Sequence, residues 1–366
     1  MKHMWIESVI IPFLLTAAVT YAVTPLVIFL AGRFRWVDDP IKRYHPAHTH
    51  TGIVPRAGGF ALFIGITVMV ILLLPWNKLY LGIILSSAIL IFIGLCDDRK
   101  DVSPYLRIAT NIVAIILVIF AGAGVPYITN PATGGILHLD TWRISFNVFG
   151  SHSLLVWSAA VAFLWLMWTT HIVGWSGGVE GQMPGFVAIS AAVIGLLSLR
   201  YSIFDASQVP ITVFAFIISG AFMGFLPWNF TPQKIMPGYG GKTIAGFLLG
   251  ILAILSYGKL GTALLVLGIP TIDAVFILTR RLVHQKSLVR ADRRHLHHFL
   301  MDAGWGKRKI ALFYWVVSSI LGTVALTVTS TQKIFAFILV AVVIGGFLVW
   351  VNFFSQFSSR QGPDNG

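Results

Sequence analysis

Charge is scarce in this chain. Of its 366 residues, 11% are Asp, Glu, Lys or Arg, against about 25% in soluble globular domains. Acidic residues are scarcer than basic ones, 13 against 26. The only cysteine, Cys96, excludes a disulfide within the chain. Neither an internal repeat nor a low-complexity tract is present. What fills the sequence is apolar: 57% of residues are hydrophobic. Uncharged stretches run over Ser8–Gly32, Ala57–Asn77, Leu79–Cys96, Ile108–Leu139, Gln182–Leu199, Ala206–Gln233, Ile310–Gln332 and Ile334–Ser359. Each can supply the roughly 20 apolar residues that cross a bilayer core. A soluble fold is excluded, and the pattern predicts an all-α polytopic membrane protein, one integral domain over 1–366.

Spans are expected near 8–31, 58–75, 79–96, 105–123, 152–173, 183–199, 210–227, 243–257, 261–279, 310–328 and 334–355. These make eleven, or ten if 243–257 and 261–279 count as one, since only Gly258, Lys259 and Leu260 separate them. The first apolar run is too long for a signal-peptide core. One set of loops (32–57, 97–107, 174–182, 228–242, 280–309 and the tail) carries 20 Lys and Arg, and the other only 6. The positive-inside rule places the first set in the cytoplasm, the N-terminus outside and the C-terminus inside, in a plasma (inner) membrane. The net charge of +13 is therefore a cytoplasmic basic face for anionic lipid or a polyanionic substrate, with no nucleic acid as partner. In the external segment 124–151, Ile144, Phe146 and Val148 alternate with Ser145 and Asn147, which predicts a small β-hairpin.

Against this scarcity of acid, "GLCDDRKDVSP" stands out. Asp97 and Asp98 end an apolar helix, with Asp101 close behind. One reading is a stop signal that keeps the helix end in water. The other is chemistry: adjacent carboxylates suit Mg²⁺, which prefers oxygen ligands and keeps several waters, and an ionisable residue at a membrane helix is a functional candidate. The other loops on the same face are also unusual. The first, "DDPIKRYHPAHTHTGIVPRAGGF", holds Asp38, Asp39, Arg43, His45, His48, His50 and Arg56. "GWSGGVEGQMPG" holds Glu180, and "NFTPQKIMPGYGGK" holds Lys242. Glycine beside lysine lets backbone N–H groups approach phosphate oxygens. "RADRRHLHHFL" holds Arg293, His295, His297 and His298. Its flanking arginines favour phosphate or sugar contact over zinc, while a solvated loop face is the plain reading of His48 and His50.

Together these motifs resemble the polyprenyl-phosphate N-acetylhexosamine-1-phosphate transferase family of integral membrane enzymes. "DDP" followed by "PRAGGF", "GLCDDRKDVSPYLR" with Arg107 where a lysine is common, "NFTPQKIMPGYGG", "GIPTIDAVFILTRRL" and "DRRHLHHFL" carry the resemblance, over about residues 8–355. The "HLHH" form is more like the branch that transfers N-acetylglucosamine 1-phosphate.

The resemblance implies transfer of a sugar 1-phosphate from a UDP-sugar to a polyprenyl phosphate, releasing UMP, for cell-envelope glycan synthesis. It implies catalytic roles for Asp97, Asp98, Glu180 and His297, with Mg²⁺ held by Asp97, Asp98 and Glu180. Substrate contacts would come from Arg43, His45, Arg56, Arg107, Lys242, Arg293, His295 and His298. A homodimer is the assembly left open.

Two departures cut against the pattern. Gly177 and Glu180 stand where the family usually has aspartates, and "GYGGK" replaces "GDAGS", putting Tyr239 at a magnesium-associated aspartate and Lys242 at a serine. A phenol with a pKa near ~10 does not replace a carboxylate at neutral pH. Weakened Mg²⁺ dependence is expected, with Lys242 supplying part of the missing positive charge. A second class stays open: a relative that binds polyprenyl phosphate or nucleotide sugar without turnover.

Overall fold

The computed structural model describes residues 5–41, 52–130, 135–147, 151–256, 260–285 and 294–360. The helices are α1 (Ile11–Phe34, entered through a π-helical turn Ile6–Ile10), α2 (Gly58–Leu73), α3 (Lys78–Lys100), α4 (Pro104–Phe120), α5 (Val156–Trp175) and α6 (Gln182–Tyr201). They continue with α7 (Gln208–Asn229), α8 (Gly238–Leu255), α9 (Leu260–Val266), α10 (Gly268–Val283), α11 (Leu296–Asp302), α12 (Lys307–Thr327) and α13 (Ser330–Arg360).

Among the described residues, eight helices are long and apolar enough to cross a membrane: α1, α3, α5, α6, α7, α8, α12 and α13. The pair α9–α10 makes a ninth if it is counted as one broken span. This is a polytopic all-α membrane protein. Each expected span meets helix, but the count of eleven crossings is not reproduced by length and composition. Helices α2 and α4 have 16 and 17 residues, which at ~1.5 Å per residue is about 24–26 Å, short of a ~30 Å hydrocarbon core.

The expected continuous span 261–279 is also corrected, since α9 and α10 meet at 81°. Pro270 explains the break: it has no N–H to give the carbonyl of Val266, and its ring crowds that carbonyl.

Helix ends follow local chemistry. The Asn77 side chain accepts from the Tyr80 N–H at the start of α3, and Ser103 accepts from Leu106 at the start of α4, with Pro104 in the first turn. Asp101 closes α3 with φ 55, so the chain reverses tightly into α4. Helices α6, α7 and α8 form the buried centre, with α7 also against α1 and α8 against α2, α3 and α5. With no water to expel between spans, such contacts depend on close backbone approach. A Cβ at Gly220 or Gly224 of α7 would strike the Phe13 or Ala17 carbonyl of α1. A Cβ at Gly59 of α2 would strike Gly241, and one at Gly94 of α3 would strike Gly240.

The segment before α5 holds two hairpins rather than one. β3 (Tyr127–Thr129) pairs with β4 (Ile136–His138), and β5 (Arg143–Asn147) pairs with β6 (Ser151–Leu155), so the span expected from 152 starts as strand and becomes helix at Val156. A further two-residue ribbon pairs β1 (Val37–Asp38) with β2 (Val54–Pro55) and closes the base of the first loop.

Candidate active site

Two backbone latches bring distant segments to one end of the bundle. Beyond the β1–β2 ribbon, the Arg56 N–H donates to the Trp36 carbonyl at 2.8 Å. The Met236 N–H donates to the Pro55 carbonyl at 2.7 Å, while Gly58 and Gly59 donate back to the Met236 and Pro237 carbonyls at 2.9 and 2.8 Å. "PRAGGF" and "MPGYGG" are thus stitched together. "GYGGK" is not a loop but the first turns of α8, and its glycines Gly240 and Gly241 serve helix contact with Gly94 and Gly59. That corrects the expectation of a phosphate-cradling loop there.

The aspartate pair lies in the last turn of α3 and is buried, Asp97 at 0% and Asp98 at 2% exposure. A stop signal held in water would be exposed, so that reading fails. Asp97 Oδ1 accepts from Arg107 Nη2 at 2.6 Å and from the Val102 N–H at 3.1 Å. Its Oδ2 is buried with no hydrogen-bond partner, 3.9 Å from Arg56 Nη2. Asp98 Oδ1 lies 3.2 Å from Arg56 Nε and accepts from the Tyr239 N–H at 3.1 Å, which makes it a cap on the positive end of α8. Arg56 also reaches Asp38 at 3.7 Å.

Arg107 bridges Asp97 and Asp101 and lies 5.1 Å above the Tyr239 ring, a cation–π contact. The Tyr239 hydroxyl points to Asn111 Oδ1 at 3.5 Å.

Lys242 follows Tyr239 on α8. Its side chain makes no hydrogen bond or ion pair with any described residue, and it feels the charges of Arg56, Asp98 and Asp38. A Cβ at Gly177 would lie 3.4 Å from Lys242 Cε, and a Cβ at Gly178 would run into the His297 ring. The "GWSGGVEGQ" loop therefore lies against both residues. Glu180, buried in the same loop, accepts from Lys307 at 2.6 Å. The loop is fixed where the Gly181 N–H, at φ 74, donates to Asn229 Oδ1 at 2.9 Å.

The histidine motif opens α11. Asp273 of α10 holds it: its Oδ2 is 2.8 Å from His295 Nδ1 and its Oδ1 accepts from the Leu296 N–H at 2.8 Å. His295 and His297 stack with centroids 5.7 Å apart, and His298 lies 4.3 Å from His297. Burial, and after it the charges of His298, His295 and Lys242, hold His297 well below the usual imidazole pKa. It is a neutral ring at physiological pH.

The structure thus joins Arg56, Asp97, Asp98, Arg107, Lys242, His295, His297 and His298 in one region, with Glu180 in the loop that lines it. Arg43, His45 and Arg293 lie outside the described residues, as do His48 and His50. Asp38, Asp273, Asn111 and Lys307 take part without having been singled out as site residues. The "DDP" and "GIPTID" motifs contained the first two of these, but which cation each would meet depends on tertiary placement.

Magnesium, implied by the resemblance, meets a poor donor set. Among the described residues no three His, Cys, Asp or Glu side chains gather where an ion could be held. Asp97 and Asp98 are each engaged by arginine, and Glu180 pairs with Lys307 instead of joining them. The residues present do not fit a resident Mg²⁺ shared by Asp97, Asp98 and Glu180.

Comparison with known proteins gives this end of the bundle a context. The family described as glycosyl transferase family 4 matches residues 80–257, which include the aspartate pair, Glu180, Tyr239 and Lys242. Over that stretch the chain is similar to glycosyl transferase family 4. Similarity to individual proteins extends further than that match. The probable undecaprenyl-phosphate N-acetylglucosaminyl 1-phosphate transferase of Bacillus subtilis (strain 168) is 25% identical, over 88% of this chain and 85% of that protein. The undecaprenyl-phosphate alpha-N-acetylglucosaminyl 1-phosphate transferase of Salmonella typhi is 28% identical, over 83% of this chain and 80% of that protein. The decaprenyl-phosphate N-acetylglucosaminephosphotransferase of Mycobacterium leprae (strain TN) is 28% identical, over 91% and 87%. In this chain the matched stretch carries the arginine-clamped aspartate pair and, beside Gly177, a lysine with no ion pair among the described residues.

Proposed function

We propose that this chain transfers an N-acetylhexosamine 1-phosphate from a UDP-sugar to a polyprenyl phosphate. An oxygen of the lipid phosphate attacks the β-phosphorus, the bond from that phosphorus to the α–β bridging oxygen breaks, UMP leaves, and a polyprenyl diphosphate sugar stays in the membrane. The observation that carries the reading is the buried Asp97–Asp98 pair clamped by Arg56 and Arg107 beside Lys242, which is unpaired among the described residues. The relatives named for this transfer support it.

The chemical demand is the positioning of two anions and the neutralisation of charge as it moves. A phosphate monoester has a second pKa near ~6 and is mostly a dianion at neutral pH, so no side chain needs to deprotonate the acceptor. Arg56 and Arg107 supply the guanidinium groups that would meet the lipid phosphate. Asp97 and Asp98 hold those guanidinium groups in place. His297, neutral and buried, offers one ring nitrogen as donor and the other as acceptor to a neutral part of the donor substrate, its sugar or base. Glu180, fixed by Lys307, shapes the loop against which His297 packs.

We further propose eleven crossings in a plasma membrane, with the N-terminus outside and these loops in the cytoplasm. The asymmetry of 20 against 6 cations supports that orientation. The test is transfer of labelled sugar from UDP-N-acetylglucosamine into an organic-extractable product by purified protein. Label should enter that phase only with added polyprenyl phosphate, and Asp98→Asn should abolish it. A folded protein that binds both substrates and transfers nothing would favour the non-catalytic reading.

A further inference from the structure

The cations around the site are not equivalent. Arg56 faces three carboxylates within 3.9 Å, Arg107 two, and Lys307 is paired with Glu180. Lys242 alone of these four has no hydrogen bond or ion pair among the described residues. Lys242 is half-buried, and an ammonium partly withdrawn from water gains from an anion that completes it.

The surroundings select the kind of anion. On one side lie Asp98, Asp38 and Arg56, whose charges reach Lys242. On the other lie the Gly177–Gly178 backbone and the neutral His297 ring. Gly177 leaves the lysine stem only van der Waals room, since a Cβ there would already be 3.4 Å from Cε. Among the described residues, no carboxylate is hydrogen-bonded to the ammonium. The arrangement is a positive charge with no direct partner among the described residues, between an acid–arginine cluster and an uncharged ring.

Resting on the function proposed above, we infer that Lys242 is a built-in cation for the donor's diphosphate, so that this site binds a nucleoside diphosphate without a resident divalent ion. Two observations lead to it independently, both of the described residues: the ammonium has no ion pair or hydrogen bond among them, and no three donors gather among them to hold a metal. The ammonium takes one phosphate oxygen as a point charge with three rotatable donors. Charge neutralisation then comes from the covalent chain and not from an ion that must be captured from solution.

The experiment is equilibrium binding of UDP to the purified full-length chain in detergent, by calorimetry, in EDTA and in excess Mg²⁺. The dissociation constant should agree within about threefold between the two conditions, and Lys242→Met should weaken binding in EDTA by about tenfold or more, the loss of one charge-assisted hydrogen bond. Lys242→Met keeps an unbranched stem against Gly177, and Lys242→Arg, which keeps the charge, should retain most of the affinity and guards against a folding artefact. Wild-type binding that requires Mg²⁺, or affinity unchanged in Lys242→Met, overturns the inference and leaves the proposed reaction standing. Failure of the wild type to bind UDP in either condition overturns both.

Discussion

Arg56 is where the account is most exposed to a stability experiment. Its guanidinium lies 3.2 Å from Asp98, 3.7 Å from Asp38 and 3.9 Å from Asp97, with side-chain exposures of 18% for Arg56 and at most 7% for the acids. At an effective dielectric near 20, unit charges about 4 Å apart attract by about 4 kcal/mol, but most of that offsets the cost of desolvating the charges. The measurable quantity is the loss on breaking a buried pair from one side, about 3–5 kcal/mol, and Arg56→Ala should fall in that range.

Asp98→Asn should cost less, about 1–3 kcal/mol, because its amide oxygen still accepts from the Tyr239 N–H. In the double variant, Arg56→Ala with Asp98→Asn, one of the stranded carboxylates is already gone. Its cost should fall short of the sum by about 1.5–3 kcal/mol. Reversible unfolding of the detergent-solubilised protein by sodium dodecyl sulfate, followed by circular dichroism, measures all three. Additivity within about 0.5 kcal/mol would refute the shared cluster.

Other consequences are as direct. Gly59→Ala and Gly94→Ala push a methyl into the α8 backbone and should destabilise by about 1–3 kcal/mol, while Gly346→Ala, with nothing within 4 Å, should be close to neutral in the same assay. Gly178→Ala places a methyl on the His297 ring and should cut turnover sharply while the helical circular dichroism spectrum is kept; wild-type kinetics would separate that loop from the reaction. Because the folded pKa of His297 is depressed, its contribution to stability is present above the unfolded value of about 6.5 and is lost as pH falls below it. Wild type should therefore lose more stability than His297→Gln between pH 8 and pH 5, and equal losses would contradict a buried neutral ring.

Much of this molecule could be read from its sequence, and what could not be read has physical causes. Long apolar runs announce spans because backbone groups in lipid must bond within a helix, and every expected span meets helix. Pro270 was visible, yet an apolar run on both sides of it looks continuous until the missing bond to Val266 is considered. Gly238 to Gly241 read as a loop because glycine is a poor helix former; close contact with Gly59 and Gly94 overrides that propensity. The aspartate pair was conspicuous, but its burial was not. That depends on Arg56 being brought from the first loop and on the left-handed Asp101 turning Arg107 back towards Asp97. Glu180 and Lys307, like Asp273 and His295, are pairs that only the packed helices bring together.

The central claim is that a phosphoryl-linked sugar moves as one unit to a lipid phosphate at this site. Donor labelled in its β-phosphate, incubated with polyprenyl phosphate and the purified protein, tests it most directly. The label should appear in the lipid diphosphate, with unlabelled UMP released in equal amount. Label recovered in free UDP, with the sugar on lipid, would mean simple glycosyl transfer and would contradict the account.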